Sequence, residues 1–128
     1  MDREAPLIQF RVTPFYHAVV VQSAGASDLP IPETGEEAAV ATGESVLVAT
    51  HGPDDGKVTM EVYRGTVPDV PSALVYDGEL SFATPYLEIG SGVSGDLTTV
   101  DVGRIGWVPI KIYVDPPGDP GRVMVVIS

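Results

Sequence analysis

The chain has 128 residues, of which 44% are hydrophobic, with 14 glycines, 12 prolines, no cysteine and a formal charge of −11. This length fits one domain, residues 1–128, able to bury about two-thirds of its unfolded surface, and the glycine and proline load favours many short strands over long helices. The missing cysteines exclude a disulfide framework and Cys-ligated zinc, and the negative surface repels nucleic acid and anionic membranes while attracting basic proteins.

In chain order, Leu7–Val12 and Phe15–Gln22 are apolar segments separated by Thr13-Pro14. They read as two strands or as one strand kinked at the proline. Residues 23–43 follow as a long connecting loop. Its one helical possibility is a turn over Glu36–Ala41, with Thr34 as cap and acids in the first turn. Ser45–Thr50 and Lys57–Arg64 flank HGPDDG and read as a hairpin closed at Asp55-Gly56, with Val58, Met60 and Val62 alternating against Thr59, Glu61 and Tyr63. Leu74–Phe82 and Tyr86–Ile89 are short strands interrupted at Thr84-Pro85. Leu97–Val102 alternates again after a glycine-rich turn.

The C-terminal stretch anchors the rest. In Gly106–Val114 one face carries Val108, Ile110, Ile112 and Val114, while Trp107, Lys111 and Tyr113 point the other way. Pro109 cannot donate to a ladder, so this strand is expected at a sheet edge or bulged there. A loop of three prolines and two glycines leads to Arg122–Ile127, an apolar run that suits a strand covered on both faces or a last strand tucked into a sandwich. Eight or nine strands with almost no helix predict an antiparallel β-sandwich of immunoglobulin-like or C2-like proportions.

Catalytic signals are absent from this pattern. No local context places a serine for attack, and GSGVSG at residues 90–95 lacks the lysine and the following helix of a phosphate cradle. His17 and His51, the two histidines, read as structural or surface residues. Asp54-Asp55 and Asp115, Asp119 would hold Ca²⁺ only if their loops met at one end of the sandwich, and no calcium-loop spacing is present. Turn-forming aspartates beside glycine and proline explain them without an ion, so no cofactor and no metal is expected. The stretch 23–56 holds seven acids, Asp28, Glu33, Glu36, Glu37, Glu44, Asp54 and Asp55, and no lysine or arginine. These seven are the candidate partner-binding residues, for a basic protein whose association weakens with salt.

Tyr16-His17 followed by Val19-Val20-Val21-Gln22 and a proline-containing acidic loop, then the apolar segments from Leu74 to Val102 and an aromatic at Trp107, resembles the competence protein J family. These are small acidic all-β bacterial proteins, and the resemblance implies inhibition of a partner nuclease. It assigns no interface residue. Two departures stand out: no tryptophan follows the early prolines, and Gly103–Trp107 lacks a proline-glycine turn before its aromatic.

The leading expectation is a non-catalytic binding module of inhibitor or immunity type. The alternative is a structural or decoration subunit of an assembly such as a phage particle, with Met1–Pro6 ordered only against a neighbour. No apolar run approaches the roughly 20 residues that span a bilayer. MDREAPL has no basic region followed by an apolar one, so no secretory signal is expected. The location expected is cytoplasmic, or the virion for an assembly subunit.

Overall fold

A computed structural model describes residues 6–14, 17–26, 30–31, 37–65, 73–91, 96–116 and 120–127. Among these residues ten strands form two five-stranded sheets, and the only helical element is one short 3-10 turn. The strands are β1 (Ile8–Val12), β2 (Ala18–Ser23), β3 (Ala39–Ala41), β4 (Ser45–Ala49) and β5 (Val58–Arg64), then β6 (Ala73–Phe82), β7 (Tyr86–Ser91), β8 (Asp96–Asp101), β9 (Gly106–Asp115) and β10 (Arg122–Ile127). One sheet runs β1-β5-β10-β9-β6 and the other β3-β4-β2-β7-β8. Every pairing is antiparallel except β5 with β10. This is the expected all-β sandwich.

The core lies between the sheets and follows the period-two pattern. Val108, Ile110, Ile112 and Val114 of β9 are all buried against it, as are Val58, Met60 and Val62 of β5. Each such side chain contributes roughly 1.5–3 kcal/mol on full burial. The other sheet supplies Val19, Val21, Val46, Val48, Leu87 and Ile89. In β10 both faces are buried, as its unbroken apolar run foretold. Val123, Val125 and Ile127 join the main core, while Met124 and Val126 pack with Tyr63 and Tyr113 in a second cluster.

Four expectations need correction. Ser45–Thr50 and Lys57–Arg64 are not a hairpin, because β4 and β5 belong to different sheets. The connection carries a 3-10 turn at Pro53–Asp55, where proline's fixed φ begins the turn. With that turn, the linker changes layer instead of folding straight back. Gly56, after Asp55, takes a positive φ of +104°.

The segment from Glu36 to Ala41 is not helical where it is described. Residues 39–41 form β3, paired with β4 through Ala39 and Val48, so the cross-strand ladder overrides weak helix propensity. This short strand also raises the count to ten. Pro109, finally, sits neither at an edge nor at the bulge, since β9 lies between β10 and β6. Its missing N–H is tolerated because β10 pairs only from Asp115 to Ile110, which leaves Pro109 just past the end of that ladder.

The irregularity of this sheet falls instead on β6, where the register shifts between Leu74 and Tyr76. This edge strand carries Asp77 and Glu79 outward, and a bulge with charged side chains discourages pairing with another chain. The sequence left open whether Leu7–Gln22 was one strand or two. It is two, one in each sheet.

Candidate protein-interaction surface

Strand directions place the described loops at two ends of the sandwich. At the first end lie the connection between β4 and β5, the loop before β10 and the entry to β2. These loops meet: Thr50 N–H donates to the His17 carbonyl at 2.7 Å, and His51 N–H donates to the Pro120 carbonyl at 2.9 Å. Both histidines therefore reach this end. A Cβ on Gly52 would stand 2.7 Å from the His17 ring, and one on Gly121 would stand 2.9 Å from the His51 ring.

At the opposite end lie the β3–β4 turn, the β6–β7 connection and the residues leading into β9. Ser81 N–H donates to the Gly43 carbonyl at 2.8 Å, and Val102 N–H to that of Pro85 at 2.8 Å.

Of the seven acids, the four described ones, Glu37, Glu44, Asp54 and Asp55, are divided between the two ends. Asp54 and Asp55 are exposed in the 3-10 turn at the first end. Glu37 is half-buried just before β3, also towards that end. Glu44 is half-buried in the β3–β4 turn at the other end. The length of β4 separates them, about 15 Å for five residues of strand. Asp28, Glu33 and Glu36 lie outside the described residues. The loops carrying Asp54-Asp55 and Asp115 do meet at one end, while Asp119 lies outside the described residues. Among the described residues, however, no group of three histidine, aspartate or glutamate side chains could hold a metal ion.

The polar cluster that the structure assembles was not visible in the sequence. Glu61, 2% exposed, sits on the outer side of β5, facing away from the main core. Its Oε1 accepts hydrogen bonds from Tyr63 Oη at 2.6 Å and from Arg122 Nη2 and Nε at 2.8 and 3.1 Å. Its Oε2 accepts from Gln9 Nε2. Burial alone would push the Glu61 carboxyl up, but the donors Arg122, Tyr63 and Gln9 outweigh it and hold the group below its ordinary range. Burial and the neighbouring carboxylate push the Tyr63 phenol up, so it stays a neutral donor.

Both carboxylate oxygens are occupied by the protein's own donors. That arrangement clamps β1, β5 and β10 together rather than presenting a base to a substrate. In sequence Glu61 looked like any outward residue of an alternating strand. Only the register that sets Gln9 and Met124 opposite it reveals the site.

The other feature missed is apolar. Trp107 is 62% exposed, Ile105 64% and Tyr86 44%, and all three stand at the second end. The exposed direction of Trp107 was legible from alternation, but its surroundings were not.

Among the described residues no helix is long and apolar enough to cross a membrane. No family model matches the sequence, and no curated protein matches it. Among solved structures, ComJ of Bacillus subtilis, described as the inhibitor of the DNA-degrading activity of NucA, matches with a TM-score of 0.72. The match covers 98% of both chains at 10% identity. The likeness first read from segment order thus extends to the whole fold: this chain is similar to ComJ in architecture from end to end.

Proposed function

We propose that this chain is a non-catalytic, protein-binding module of inhibitor type, which acts by occupying a basic, DNA-degrading enzyme. The observation that carries this reading is the full-length likeness in fold to ComJ, an inhibitor of such an activity. Charge supports it. An enzyme that grips DNA phosphates presents cations, and a chain of net charge −11 competes for the same surface. The acids Asp28, Glu33, Glu36, Glu37, Glu44, Asp54 and Asp55 then supply long-range attraction that speeds encounter. The Glu61 carboxylate is saturated with internal donors and so is itself not offered to a substrate.

The test is to immobilise the chain, load an extract of its source organism at low salt, and elute with a salt step. The eluate is expected to degrade DNA, and adding back free chain at about one equivalent should suppress that activity. Binding should fall steeply between about 50 and 500 mM salt, as for other charge-steered complexes. An eluate without DNA-degrading activity, or one that the free chain leaves fully active, overturns the inhibitor reading.

A further inference from the structure

Trp107 is the only tryptophan in the chain, and it leaves most of its ring in solvent, beside an equally exposed Ile105. Tryptophan gives up much apolar burial by standing outside, and it is enriched at the energetic centres of protein interfaces. Its position is also fixed. Trp107 pairs with Ser81 of the edge strand β6 and reaches past it to Gly43, where a Cβ would lie 3.6 Å from Cη2.

The turn under that ring edge is tied to both sheets. Ser81 N–H donates to the Gly43 carbonyl, and Ser23 N–H donates to the Glu44 carbonyl at 2.9 Å. Glu44 N–H donates to Thr42 Oγ1 at 3.2 Å. A preorganised aromatic loses little entropy on binding.

Two glutamates lie close to it in the fold. Glu79 is exposed on the outward face of β6, two residues before Ser81 and opposite Pro109. Glu44 adjoins Gly43 in the turn. An aromatic face attracts a cation, and nearby carboxylates accept its N–H groups in charge-assisted bonds. Arginine, planar and many-donored, satisfies both at once.

We propose that Trp107, with Glu79 and Glu44 nearby, is the anchor for an arginine-bearing segment of a protein partner. The assignment rests on reading the chain as a binder of a basic protein, and it places the contact at the β9 end, away from Asp54 and Asp55.

Replacing tryptophan with 5-fluorotryptophan gives a single fluorine resonance at position 107. Titration with a hexa-arginine peptide at low salt is expected to shift that resonance saturably, and Glu79→Lys should weaken the effect roughly tenfold. Against the DNA-degrading protein recovered from the column, Trp107→Ala should weaken capture roughly thirtyfold. Thr99→Ala, exposed on the other sheet, should capture as the parent chain does.

The melting temperature of Trp107→Ala should fall by no more than a few degrees, since most of the residue is exposed, and Glu79→Lys gives a second variant with the ring intact. A resonance unmoved by hexa-arginine overturns the anchor. So does capture lost more through Asp54→Asn with Asp55→Asn than through Trp107→Ala. An eluate lacking nuclease while hexa-arginine still shifts the resonance sinks the inhibitor reading and supports the anchor.

Discussion

Replacing Glu61 with alanine is expected to cost about 2–4 kcal/mol of folding stability. Breaking a buried ion pair typically costs about 3–5 kcal/mol, because the surviving charge is left without a partner. The lower figure applies here because the Arg122 side chain keeps 29% of its surface exposed and can recover some hydration. Tyr63 Oη and Gln9 Nε2 lose their acceptor as well. Glu61→Gln keeps the shape and one acceptor oxygen, so it should cost less than Glu61→Ala.

The sign of the pH dependence follows from the depressed carboxyl. Its folded pKa lies below its unfolded value, so on acidification the unfolded chain takes up the proton first. The contribution of Glu61 is therefore complete above the unfolded carboxylate range, near pH 4.3. It is lost as pH falls through the folded value. Urea midpoints measured from pH 7 to pH 3 should show the parent and Glu61→Gln converging in acid. Parallel curves across that range would mean that the cluster does not hold the charge as described.

The fold was legible where one strand's own residues decide the outcome. Alternation in β9 placed four side chains inward, and the unbroken run of β10 announced burial on both faces. Legibility ended where the outcome depends on which strand becomes a neighbour. The turn signal at Asp55-Gly56 is genuine, yet nothing in it says whether the chain returns to the same sheet or crosses to the other. For the same reason closeness in sequence did not tell that β4 holds Glu44 and Asp54 at opposite ends of the sandwich. Glu61 and Arg122 are 61 residues apart, and their meeting depends on the parallel pairing of β5 with β10, which no local pattern encodes. The likeness to the competence protein J family was legible for a different reason. Segment order survives as a coarse record of topology when individual residues do not, as 10% identity over a shared fold shows.

Met124→Ala and Ile112→Ala are expected to destabilise the chain by similar amounts, about 2–5 kcal/mol each, although the two side chains point to opposite faces of one sheet. Ile112 lies in the main core between the sheets, and Met124 lies in the second cluster with Tyr63, Val126 and Tyr113; neither exposes any surface. Truncating a buried side chain removes its transfer free energy and leaves a cavity, whichever side of a strand it occupies. Methionine's flexibility lets neighbours relax into part of the gap, so Met124→Ala should fall in the lower half of that range.

Lys111 supplies the control. It sits opposite Val126 on β9 and is exposed, so Lys111→Ala should change stability by less than about 0.5 kcal/mol. Urea denaturation at neutral pH distinguishes these outcomes. A Met124→Ala variant as stable as Lys111→Ala would show that the outer face of β10 is open to water. In that case the Glu61 carboxylate one strand away would also lose the low-dielectric setting that makes its pairing with Arg122 strong.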